Sequence, residues 1–230
     1  MQTQAAHTPL PWSDTNDAQA LRTALVRRVA DHAPWPLGST WDPRVLRAIA
    51  DVPRHLFVPG APLVDAYRDE PYPIGREQTI SQPTVVAIMA QALLLTGAER
   101  VLEIGTGCGY QAAVIARLAA SVHSVERIAW LGDTARVRLA SMGVRNVHVR
   151  IGDGFAGWPE RAPFDRAILS AAPAGVPQAL IDQLAEGGVL VAPVGAPMEQ
   201  VLVRLHKREG RVETEELGPV RFVPMLPGVA

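Results

Sequence analysis

Cysteine, net charge and long apolar runs are all scarce in this chain of 230 residues. Cys108 stands alone, so no disulfide closes within the chain and no multi-cysteine zinc site exists, which fits a reducing cytoplasm. The net charge is −1, with basic and acidic residues interspersed. The basic stripe that nucleic-acid binding calls for is missing, and no nucleic-acid partner is expected. The first residues, MQTQAAHTPLPWSDTND, carry neither a basic start nor an apolar run and do not read as a secretory leader. No apolar stretch is long enough to span a bilayer, so no membrane association is expected. The six histidines (His7, His32, His55, His123, His148 and His206) show no metal-ligand spacing, and each is read as a surface or packing residue. No G-x-S-x-G elbow supports a hydrolase triad. What remains is a chain that is 48% hydrophobic, enough to bury the core of one generous domain.

Residues 1–17 are polar and proline-containing and read as a flexible tail. Leu21, Leu25, Val26 and Val29 recur at helical spacing from Ala18 to His32, with Asp17 as the expected cap. Asp42 and Pro43 open a second helix, VLRAIADV. From Pro53 to Gln78 the chain is proline-rich and reads as irregular, yet too apolar for a free linker; a loop of that length usually has a function. Ser81 offers a cap for the apolar helix TVVAIMAQALLLT. Strands and helices then alternate. Arg100–Ile104, Ser121–Glu126, Asn146–Ile151, Phe164–Ser170 and Val189–Val194 read as strands, and Tyr110–Ala119, Ile128–Met142 and Val176–Leu184 as helices. The fold class is therefore α/β, a doubly wound, mostly parallel sheet. QVLVRLHKREGRVETEEL adds a hairpin turning at Glu209-Gly210, an antiparallel end of the methyltransferase type of sheet. KREGR reads as a solvated turn, and the tryptophans near the N-terminus as packing residues. Residues 18–98 form a helical and loop region over the site, integrated with a core of residues 99–230.

The chemistry concentrates in VLEIGTGCGY, where a strand runs into Gly105, Thr106, Gly107 and Gly109 and a helix follows. Glycines there allow a sharp turn and close approach of a ligand. Alone, such a turn could hold NAD, a flavin, or nothing. Glu126 and Asp153 end the next two strands, at the sheet edge where ligands of open α/β sheets bind. Glu126 is placed to accept from ribose hydroxyls, Asp153 to meet an adenine amino group, and Glu103 to face the ligand's ammonium end. Glu103 would repel a pyrophosphate, whereas S-adenosylmethionine has no phosphate and carries positive charge. Three acids suit that cofactor.

PIGREQTISQP, VLEIGTGCGYQAAVIARL, SVERI, NVHVRIGDG, APFDRAILSAA and VRFVP, in that order, resemble the protein-L-isoaspartate O-methyltransferase family. QTISQP is the most diagnostic of them. The resemblance implies transfer of a methyl group to the α-carboxylate of L-isoaspartyl residues in damaged proteins and peptides. The ester then closes to a succinimide, and its hydrolysis returns some normal aspartate. Ser81 matches the family's active-site serine. Thr79, Ile80 and Ser81 are expected over cofactor and substrate, beside the glycine turn, Glu126, Asp153 and Gly154. One departure stands out: the family reads GQTIS where this chain has Glu77. An inward Glu77 would weaken binding of a carboxylate substrate, and an outward one would change nothing. Cys108, where a serine is common, reads as a packing residue in the turn.

A carboxylate with a pKa of about 3.5 is already ionised at neutral pH, so no general base is required. Ser81 is expected to position that carboxylate rather than to attack. The rival readings are a methyltransferase of the same build acting on an aspartyl carboxylate of one dedicated peptide, a cofactor-binding protein without turnover, and an NAD-linked oxidoreductase. A monomer is favoured.

Overall fold

The computed structural model describes residues 15–32, 34 and 37–230. Most of the segment read as a flexible tail, together with Trp12 and Trp35, lies outside the described residues. The first helix, α1, runs Asn16–Asp31, and Thr15 caps it by accepting from the Ala18 N–H. The cap is therefore not Asp17, which sits inside the first turn, where a negative charge still favours the helix N-terminus. Helix α2 (Pro43–Asp51) starts as expected: the Asp42 carboxylate accepts from the Arg44 N–H, 2.8 Å away.

The proline-rich stretch is more ordered than its sequence suggests. It holds a 3-10 turn (Arg54–Phe57), a short helix α3 (Leu63–Ala66) and an antiparallel hairpin of β1 (Tyr72–Gly75) with β2 (Gln78–Ile80). Buried Arg54 pins it down, donating to the Ala66 and Glu70 carbonyls while its guanidinium lies 5.0 Å from the centre of the Tyr110 ring. Helix α4 (Pro83–Ala92) follows, and Ser81 does not cap it. The cap position falls on Gln82, which makes no capping bond of its own. Asp69 serves instead, accepting from the Thr84 N–H (2.8 Å), the Thr84 hydroxyl (2.7 Å) and the Gln82 amide (3.1 Å).

Seven strands form the main sheet: β3 (Arg100–Ile104), β4 (Ser121–Glu126), β5 (Val147–Ile151), β6 (Phe164–Leu169), β7 (Leu184–Val194), β8 (Val201–Arg208) and β9 (Arg211–Pro219). Their order is β5-β4-β3-β6-β7-β8-β9. The first five are parallel; β7–β8 and β8–β9 are antiparallel. Helices α5 (Tyr110–Ala116) and α6 (Ala129–Ser141) connect β3 to β4 and β4 to β5. They share one face with α1, α2 and α4, in a core cluster joining residues from both sides of position 98. Helix α7 (Gln178–Asp182) packs on the other face. It is shorter than expected because Leu184 already pairs with Phe164 as the first residue of β7. The β8–β9 turn falls at Glu209-Gly210, both at positive φ, as read. Lys207 beside it is only partly exposed, its ammonium donating to the Ile181 and Leu184 carbonyls. Chain order reverses between β3 and β6, and the crevice of such a sheet opens there, at the strands' carboxyl ends.

Candidate active site

Two clefts meet at that edge. The first lies around the glycine turn, and the second between β2 and the 219–223 segment. Thr79, Ser81, Ser170 and Val223 line both.

The first cleft brings together eight of the expected residues: Thr79, Ile80, Ser81, Gly105, Thr106, Gly107, Glu126 and Gly154. Gly105, Gly107 and Gly109 all have positive φ, so the turn from β3 into α5 is built on backbone that side-chain-bearing residues rarely adopt. The buried Glu126 carboxylate clamps this turn. One oxygen accepts from the Gly107 N–H (2.8 Å) and the other from the Ile128 N–H (2.9 Å). Each carboxylate oxygen keeps a second lone pair for a ligand. At Gly154 a Cβ would fall 2.6 Å from Ile104 Cγ2, so close approach of backbone to β3 requires glycine.

Three expected residues do not line the cleft. Gly109 packs against α6, where a Cβ would meet Ala135 and Leu139 at 3.3–3.4 Å. Asp153 is engaged by the backbone, accepting from the Phe155 N–H and, at 2.9 Å, from the Gly228 N–H. It thereby holds the C-terminal segment, whose last residue, Ala230, exchanges hydrogen bonds with Arg127 and Ala129. Glu103 is fully buried behind the wall, on the α5 side of the sheet. One of its oxygens accepts from the Ser124 hydroxyl, which in turn is 2.6 Å from the Thr106 hydroxyl; the other has no partner. Burial, more than the nearby charge of Glu126, pushes the Glu103 carboxyl up to about 8, so at neutral pH it is mostly protonated. The expectation that it meets a ligand's ammonium directly is corrected accordingly.

Glu77 lies at the exposed tip of the β1–β2 hairpin and lines neither cleft. The inward alternative falls. Cys108 is buried, and burial raises its thiol, which stays protonated, in keeping with a packing role. His123 and His148 stack 5.1 Å apart, and His123 also packs against Trp158 and Phe164, away from both clefts. Burial lowers His123 to about 4, so it is a neutral packing residue.

Sequence reading missed three participants. Asp69 gave no signal because the helix it caps lies 15 residues further on. Gln111 and Ser170 both line the first cleft and hydrogen-bond each other at 2.7 Å across a separation of 59 residues. Only the position of Ser170 at a strand's carboxyl end could have pointed to it.

The profile of the family described as protein-L-isoaspartate(D-aspartate) O-methyltransferase matches residues 36–229. A protein-L-isoaspartate O-methyltransferase of Methanoculleus marisnigri is 55% identical over 185 residues, covering 80% of this chain and 84% of its own. One of Methylorubrum populi is 49% identical over 218 residues, covering 94% and 98%. A solved protein-L-isoaspartate O-methyltransferase superposes with a TM-score of 0.77 at 28% identity, over 90% of this chain and 65% of that one. A Plasmodium falciparum structure in complex with S-adenosyl-L-homocysteine also gives 0.77, and at 23% identity it supports the fold alone. The chain belongs to the protein-L-isoaspartate(D-aspartate) O-methyltransferase family.

Proposed function

We infer that this chain methylates the α-carboxylate of L-isoaspartyl residues in damaged proteins and peptides, using S-adenosylmethionine. The observation that carries this reading is the wall shared by the two clefts, in which three of four residues bear hydroxyls. A donor in the first cleft and a peptide in the second would meet across Thr79, Ser81 and Ser170.

The first cleft fits a cationic donor. The Gln111 side-chain oxygen is buried there without a partner, and Glu126 has lone pairs to spare, so the polar lining includes unfilled acceptors. When bound, S-adenosylmethionine supplies a methyl group on a sulfonium, and formation of the O–CH3 bond breaks S–CH3 to leave a neutral thioether. Gly105, Thr106, Gly107, Glu126 and Gly154 would hold it, with Thr79, Ile80 and Ser81 closing over it. Gly109, Glu103 and Asp153 support that lining from behind, Asp153 through the C-terminal segment. The protein's task is to align an already ionised carboxylate and exclude water. Ser81 donates the hydrogen bond that orients it.

Residues 18–98 act as a cover, forming one domain with residues 99–230; the core cluster common to both supports this. No helix among the described residues is long and apolar enough to cross a membrane. In this reading the enzyme is a cytoplasmic monomer without a nucleic-acid partner; its single cysteine fits a reducing compartment, and its net charge of −1 fits the lack of a nucleic-acid partner.

The test is radiolabelled methyl transfer to an isoaspartyl peptide beside its aspartyl twin. Transfer to the isoaspartyl peptide alone is expected, and preference for the twin would overturn the substrate. Ser81→Ala should lose about 10- to 100-fold in kcat/KM, the worth of one hydrogen bond to a charged group. Calorimetry should find S-adenosylhomocysteine binding near normal. Full turnover in the variant would refute the Ser81 role.

A further inference from the structure

We propose that Ser170 is a second hydroxyl donor to the substrate carboxylate, held in position by Gln111; this deepens, and rests on, the isoaspartyl reading above. Ser170 stands immediately after β6, at the sheet's carboxyl edge, and opens onto both clefts. Its backbone is fixed, with its N–H donating to the Ile104 carbonyl at 2.8 Å. Its Cβ lies against Gly105, where an added Cβ would come within 3.4 Å. Ser81 reaches the shared wall from the covering segment, whereas Ser170 reaches it from the rigid sheet.

The hydrogen-bond direction decides what Ser170 can do. The buried Gln111 amide N–H donates to the Ser170 oxygen at 2.7 Å, so that oxygen is already an acceptor. A hydroxyl has one proton to give, and no acceptor among the described residues takes it. That proton is left for an oxygen arriving in the second cleft. A carboxylate needs two fixed points to set its plane, and Ser81 and Ser170 supply one each from different elements. Gln111 does not contact the substrate in this arrangement; it is a positioning residue acting through Ser170.

The kinetic signature follows from charge. The carboxylate loses its negative charge as the methyl group arrives, so a donor to it favours the bound ground state at least as much as the transition state. Ser170→Ala should therefore raise KM for an isoaspartyl peptide about 10-fold while kcat stays within about 3-fold. Affinity for S-adenosylhomocysteine, measured by calorimetry, should be unchanged. Ser170→Thr, which keeps the hydroxyl, should restore KM. At saturating S-adenosylmethionine, which removes the effect of losing the Gln111 oxygen from the first cleft, Gln111→Leu should raise the peptide KM in the same direction, and the double variant should be no worse than Ser170→Ala alone, because toward the peptide Gln111 acts through that hydroxyl. An unchanged KM in Ser170→Ala, penalties that multiply in the double variant, or a parallel loss of S-adenosylhomocysteine binding would each overturn the assignment. Should the unsubstituted enzyme fail to methylate the isoaspartyl peptide, the functional reading falls and takes this one with it. If it turns over normally and only the Ser170 effect is missing, this inference alone is wrong.

Discussion

Replacing Glu77 by glycine should make the protein more stable and leave turnover alone. Arg76 and Glu77 form the two-residue turn between β1 and β2, with φ of 54° and 58°. Two positive φ values in a two-residue hairpin loop are the pattern of a type I′ turn, which favours glycine at its second position. The β8–β9 hairpin obeys this with Glu209-Gly210, at φ of 51° and 70°. At the first hairpin a glutamate occupies the second place. A side chain in left-handed backbone costs about 1–2 kcal/mol. Glycine removes that strain but gives the unfolded chain more freedom, offsetting about 0.4–1 kcal/mol. The net gain should be about 0.5–1 kcal/mol, or roughly 1–4 °C in Tm for a chain of this size. Little else changes, because Glu77 is exposed and lines neither cleft. Arg76, whose guanidinium lies 5.7 Å from the centre of the Trp130 ring, remains to anchor the hairpin. Thermal unfolding followed by circular dichroism gives the shift, and peptide methylation gives kcat/KM. A lower Tm would refute the strain argument. A change in kcat/KM beyond about 2-fold would show that the carboxylate reaches the substrate.

Two further substitutions probe the supports behind the site. Burial lifts the Glu103 pKa from 4.5 to about 8, so between those values the native protein holds a proton that the unfolded chain has released. Stability then falls as pH rises through this window, by up to roughly 1.4 kcal/mol per pH unit. Glu103→Gln mimics the protonated form, so its stability relative to the unsubstituted protein should grow with pH and level off above about 8. Parallel denaturation midpoints from pH 5 to 8 would contradict this. Asp69→Ala removes the outside cap of α4 and should lower stability by about 1–2 kcal/mol, read in urea melts. It should also reduce kcat/KM, because Ser81 lies two residues before that helix; unimpaired turnover would separate cap from site.

What could be read in the amino-acid order divides along one physical line. Strand ends and glycine turns are decided within a few residues, so the alternating sheet, the turn at Gly105–Gly109 and the edge position of Glu126 were all legible. Glu103 was misplaced for a related reason: its closeness to the turn suggested ligand contact, while the two-residue period of β3 sets it on the same face as Val101, under α5. The long-range links that hold the site together were not legible. Asp69 capping α4, Asp153 holding Gly228 and Gln111 holding Ser170 join positions 15, 75 and 59 residues apart. The turn of the first hairpin has positive φ at the same two positions as that of the second but no glycine at either, so only one announced itself. Local rules thus specify the half of the site proposed to grip the cofactor, which needs bare backbone and a strand-end acid. The half proposed to receive a peptide is assembled from separate segments meeting at the sheet edge. Variation in substrate preference should accordingly track residues such as Ser170 and the 219–223 segment more than the glycine turn.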